Sequence, residues 1–108
     1  MATTTIEACP AYTTLINVFT VDPDKQRELV DLLMAVTDDV MRHQPGFISA
    51  NIHASTDGTR VVNYAQWESE RHFQAMLADP VAREHMGRAG RLASAEPRLY
   101  DVVSVHHA

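Results

Sequence analysis

Apolar and polar residues alternate through YTTLINVFTV (residues 12–21), and a period of two carried by Thr, Ile, Val and Phe predicts a strand. Beyond it the period lengthens. Leu29, Leu33, Val36 and Val40 recur at helical spacing behind Asp22, a candidate N-cap, and Pro23 at the first helical position, until Pro45-Gly46 stops the helix. Alternation resumes in FISANIHAS (47–55), where Ile48, Ala50, Ile52 and Ala54 share a face, and again in RVVNYAQW (60–67). Asp57-Gly58 between these two strands is a strong hairpin signal. Residues 69–92 are helical in character with a break at Asp79-Pro80, and RLYDVVSV (98–105) predicts a fourth strand.

The resulting order β-α-β-β-α-β is the split βαβ, or ferredoxin-like, arrangement of the α+β class. Two similar halves build one antiparallel sheet with the helices on one side. The first and third strands are expected at its centre, lying parallel. Ile16, Val18 and Val62 fall on the face without helices and are too apolar for open water, so a second copy of the chain packing sheet to sheet is the expected cover. Residues 1–11 precede the first strand as a flexible arm, and residues 12–108 form a single domain.

The helix-facing positions hold an anomaly. Leu15, Asn17 and Phe19 share one register on the first strand, and Val61, Asn63, Ala65 and Trp67 share another on the third. With these strands as neighbours, two amides enter an apolar layer that also carries the only tryptophan. Leaving a buried amide unpaired costs about 1–3 kcal/mol. Two readings follow. Either the amides bond each other or a nearby backbone group, with Trp67 as the largest core residue, or they are the polar spot of an apolar small-molecule pocket.

Composition excludes more than it selects. At 108 residues, 45% hydrophobic and 21% charged, the chain is an ordinary globular domain. A net charge of −5 with scattered basic residues argues against nucleic acid, whose binders need a basic patch. No apolar run is long enough to span a membrane, and the N-terminus lacks the basic-then-apolar shape of a signal peptide, so a cytoplasmic location is expected. Cys9 is alone, which rules out an internal disulfide or a thiolate metal cluster.

The segment PGFISANIHASTDGTRVVNYAQWESERHFQAMLADP, roughly residues 45–80, resembles the antibiotic-biosynthesis monooxygenase family, and within it the anthrone oxygenases of the actinorhodin, nogalamycin and tetracenomycin pathways. The resemblance implies a dimeric ferredoxin-like α+β barrel that oxidises an anthrone-type aromatic polyketide to a quinone with O₂, using no flavin, haem or metal. It places the family's third-strand asparagine and tryptophan on Asn63 and Trp67. It places the first-strand asparagine of the nogalamycin-type enzyme on Asn17, within INVFTV. Phe19, Phe73, Met76, His85 and Met86 are then expected around the substrate. The chain departs from the actinorhodin type at Phe73, where that enzyme has a tyrosine, and at Met86, which Arg83 and Arg88 flank where that enzyme has an arginine. An asparagine–tryptophan site therefore fits better than a phenol-assisted relay. The proton acceptor stays open among His53, His72 and His85.

Two other classes compete. Haem-degrading relatives would put their iron-ligating histidine on His85, but their essential tryptophan aligns near Met76. The same fold also serves non-catalytic dimeric binding domains.

Overall fold

The first alternating segment forms β1 (Thr13–Val21) in a computed structural model that describes residues 2–108. A 3-10 turn at Pro23–Lys25 leads into α1 (Gln26–Asp39), and a second at Met41–His43 leads to β2 (Phe47–Ala54). β3 (Arg60–Trp67), α2 (Glu70–Ala78), α3 (Pro80–Leu92) and β4 (Ala93–Tyr100) complete the chain, and the sheet order is β2-β3-β1-β4. The helix expected as one piece after β1 is thus an α-helix between two 3-10 turns. Asp22 precedes the first of these, but its side chain makes no capping hydrogen bond.

The expected break at Asp79-Pro80 has a local cause. Ser69 caps α2 by accepting from the His72 N–H at 3.2 Å, and Asp79 caps α3 by accepting from the Ala82 N–H at 2.9 Å. Pro80 then starts α3 where no intrahelical donor is required.

Three expectations are corrected. The central strands β1 and β3 are antiparallel, not parallel. The crossover through α1 returns β2 in the direction of β1, and the tight β2–β3 hairpin then reverses β3. The fourth strand spans 93–100 rather than 98–105. It begins directly after α3 and pairs with β1 from Val21↔Ala93 to Thr14↔Tyr100; past Tyr100 little of β1 is left to pair with. ASAEPRLY reads poorly as a strand because of Pro97, but β4 is an edge strand, where a missing N–H is tolerated. Finally, the β2 register shifts between Phe47 and Ser49. Phe47 therefore sits opposite Trp67 on the helix-facing side with Ala50 and Ile52, and Ile48 is turned out, 44% exposed.

The hairpin signal is confirmed. Gly58 has φ +81°, and the Asp57 carboxylate accepts from the Thr59 N–H, the Thr59 hydroxyl and the Ser55 hydroxyl at 2.7–3.0 Å. Those bonds, the Thr59 backbone N–H first, hold the Asp57 carboxyl down at about 2.

On the outer sheet face Ile16, Val18 and Val62 are half-buried. The N-terminal segment crosses part of that face. There the Thr4 hydroxyl donates to Asn51 at 2.6 Å and the Gln66 amide donates to the Thr5 carbonyl at 2.8 Å. His53 lies on this same side, exposed, with its ring nitrogen 3.0 Å from the Asn51 carbonyl.

Candidate active site

The helices cover the inner sheet face in two separate clusters. One gathers Leu15, Ala65, Trp67, Phe73, Met76 and Ala82; the other gathers Phe19, Val21, Leu29, Val61 and Ala89. Between Leu15 and Phe19 on β1 lies Asn17, and between Val61 and Ala65 on β3 lies Asn63; the two asparagines are direct cross-strand partners. The polar pair therefore occupies the seam where the apolar core divides. A cavity of about 430 Å³ opens there, a size suited to a small organic molecule.

All the residues expected around a substrate line this cavity: Asn17, Phe19, Asn63, Trp67, Phe73, Met76, His85 and Met86. Asn17 (9% exposed) and Trp67 (2% exposed) are buried, whereas Met86, 36% exposed, is the outermost. The Trp67 ring is fixed edge-on by Phe47, centroids 5.6 Å apart, and by Phe73 at 6.3 Å.

The hydrogen bonding removes the first of the two readings of the amides. Among the described residues, Asn17 Oδ1, Asn63 Oδ1, Trp67 Nε1 and His85 Nδ1 are buried without a hydrogen-bond partner. The amides do not bond each other, and the indole N–H is not satisfied locally. All four residues line the cavity, and these unpaired atoms, two amide oxygens that accept and an indole N–H that donates among them, are costly to folding and call for a ligand that offers both donors and acceptors.

Sequence reasoning missed several walls. Phe47 enters through the register shift in β2, and nothing in FISANIHAS announces that shift. Gln74 follows Phe73 on α2, while Pro97, Arg98 and Leu99 belong to a strand expected further along the chain. The β4 signal was detectable only by allowing proline at a sheet edge. His53 and His72 do not line the cavity. His72 instead meets Ser69, its Nδ1 2.7 Å from the hydroxyl, and lies 3.8 Å from Glu68. Arg83 and Arg88 are exposed and are not part of the lining either.

Residues 13–88 match the family described as antibiotic biosynthesis monooxygenase. The chain is 50% identical over 98 residues to the tetracenomycin-F1 monooxygenase of Streptomyces glaucescens, covering 91% of this chain and 88% of that one. The crystal structure of the ActVA-Orf6 monooxygenase of Streptomyces coelicolor, in complex with nanaomycin D, superposes with a TM-score of 0.80 at 35% identity, over 89% of this chain and 91% of that chain. SnoaB, a cofactor-independent oxygenase from Streptomyces nogalater, superposes with a TM-score of 0.73 at 26% identity, over 87% and 95% of the respective chains.

Proposed function

Because the chain belongs to the antibiotic biosynthesis monooxygenase family, we propose that it is a cofactor-independent monooxygenase that oxidises an anthrone-type aromatic polyketide to a quinone with O₂. The observation that carries this reading is the placement of two cross-strand amides, Asn17 and Asn63, together with Trp67 in the wall of a mainly apolar cavity, none of the three making a side-chain hydrogen bond to another.

The chemistry follows from the substrate. An anthrone is acidic at its benzylic carbon because the anion left behind is an aromatic phenolate. In this reading the Asn63 and Asn17 amides donate to the oxygen on which that charge develops, as preorganised donors do in an oxyanion hole. Trp67 stacks against the rings and offers its N–H to an adjacent oxygen. The electron-rich anion transfers one electron to O₂, and the resulting radical pair combines to a hydroperoxide. Loss of water from the hydroperoxide gives the quinone, so that one O₂ supplies one oxygen to the product and one to water. The apolar walls from Phe19, Phe73, Met76 and Met86 hold the rings and keep bulk water from the radical pair.

We also propose that the working form is a cytoplasmic homodimer, two copies meeting over Ile16, Val18 and Val62. The half-buried apolar outer face supports it. Light scattering at micromolar concentration is expected to give the mass of two chains; a stable monomer would remove this part of the reading.

Oxygen-electrode assays with dithranol test the function. Dialysed, chelator-treated protein is expected to consume O₂ and form a quinone at undiminished rate, whereas a binding domain consumes none. His85 in the cavity wall also keeps the haem-degrading alternative in play. A tight haem complex with a Soret band, lost in His85→Ala and releasing iron under reductant, would favour that alternative instead.

A further inference from the structure

We infer that His85 is the proton acceptor of this site, taking the benzylic proton of the substrate at Nδ1. The inference rests on the anthrone-oxidising reading above and assigns the one role which that reading leaves unfilled.

The argument is one of chemical supply. Neither an amide nor an indole accepts a proton near neutral pH, so Asn17, Asn63 and Trp67 can stabilise an anion but cannot generate one. Among the described residues no Asp, Glu, Lys, Tyr or Cys lines the cavity. Its two ionisable groups are His85 on α3 and Arg98 on β4, and a guanidinium has no acceptor to offer. Of the six histidines in the chain, His43, His53, His106 and His107 are exposed and His72 meets Ser69 and Glu68, which leaves His85.

The local geometry agrees. His85 Nδ1 is buried and has no hydrogen-bond partner among the described residues. With the imidazole proton on Nε2, Nδ1 is the acceptor nitrogen of a residue in the wall of the cavity that carries both amides. The elements around it bring little competing charge. The cavity-lining residues of α1 and α2, which include Leu33, Thr37 and Gln74, are all uncharged. Arg98 is paired with Glu96 at 3.2 Å, and Glu84 and Arg88 on α3 itself are exposed.

In the step proposed, the benzylic C–H bond breaks and its proton goes to Nδ1. The electron pair passes into the ring system, giving the anthrolate beside an imidazolium. After O₂ has accepted an electron and the radicals have joined, the peroxide anion takes that proton back. Neutral His85 is then ready to remove the second benzylic proton as hydroxide leaves, completing one water.

The test separates proton removal from oxygenation. Dithranol is mixed with the protein under nitrogen, and the red-shifted absorption of its anthrolate is followed by stopped flow, with O₂ uptake measured on the same preparations. Wild-type protein is expected to generate the anion well above the buffer rate. His85→Gln, which matches the ring's reach without its basicity, is expected to slow both readouts by about 10²-fold or more, the scale of general-base catalysis. Added imidazole is expected to restore part of both in His85→Ala, which a purely structural role would not allow. Anion formation and turnover at wild-type rates in His85→Gln would overturn the assignment while leaving the functional reading intact. Wild-type protein that neither forms the anion nor consumes O₂ would overturn both. If His85→Gln melts far below wild type, the imidazole response of His85→Ala decides.

Discussion

Asn63→Ala is expected to lower kcat on dithranol by about 10²–10³-fold, the loss seen when one preorganised oxyanion donor is removed. The melting temperature is expected to stay close to that of the wild type. The two expectations share one cause. The Asn63 side-chain oxygen is buried without a partner, so deleting the amide orphans no other group and removes an unpaid desolvation cost. A structural asparagine would behave in the opposite way, its loss freeing a buried partner and lowering stability with little effect on rate. Asn17 supplies the internal comparison, being the cross-strand partner of Asn63 and lining the same cavity. If both amides hold one developing charge, Asn17→Ala also slows turnover, and the double variant loses less than the product of the two single losses. Initial rates and thermal melts on the same preparations settle it. An unchanged kcat in Asn63→Ala would mean that β3 does not carry the chemistry.

The largest stability effect is expected far from the amides, at Gly46. This residue has φ +82°, in the left-handed region where a side chain costs about 1–2 kcal/mol. A Cβ added there would stand 2.3 Å from Cγ of His72, a distance no pair of carbons tolerates. The imidazole cannot simply swing away without cost, because Ser69 meets its Nδ1 at 2.7 Å. The Gly46 carbonyl also accepts the Glu68 N–H at 2.7 Å, tying the start of β2 to the end of β3. Gly46→Ala is therefore expected to destabilise by about 2–4 kcal/mol, within the range of strained-backbone and overpacking substitutions. For a domain of this size that lowers Tm by roughly 10 °C or more. Adding His72→Ala is expected to recover only part of the steric share, because the Cβ of residue 72 would still stand 2.5 Å from the new one, and none of the backbone share. A Tm within a degree or two of wild type in Gly46→Ala alone would show that the turn accepts another conformation. Activity should fall as well, since Gly46 sets the approach of Phe47, whose ring fixes Trp67.

What the sequence by itself determined is what short-range periodicity can express. The alternation in INVFTV and VVNYAQW assigns Asn17, Asn63 and Trp67 to the helix-facing side, because successive strand side chains point to opposite faces whatever their neighbours. Asp57-Gly58 and Asp79-Pro80 mark a hairpin and a helix break through backbone chemistry that acts within a few residues. The family resemblance, itself a property of the sequence, reached Asn17, Phe19, Asn63, Trp67, Phe73, Met76, His85 and Met86, but not Phe47, Gln74 or the β4 residues that also line the cavity. Tertiary structure decided what depends on the partner across the gap. Whether Phe47 or Ile48 faces inward is set by a shift in pairing with β3, so the alternation of β2 alone pointed to the wrong one. The extent of β4 is set by the length of β1, which is why the more strand-like VVSV beyond Tyr100 stays outside the sheet. The amides could have satisfied each other, and only the packing of two core clusters with a space between them leaves both unpaired. His85 was expected around the substrate from the resemblance, but the choice among His53, His72 and His85 as proton acceptor stayed open until the crossing of α3 over the sheet put His85 alone of the three into the wall of the cavity. Local pattern orients a side chain, but what that side chain meets is decided by residues distant in the chain.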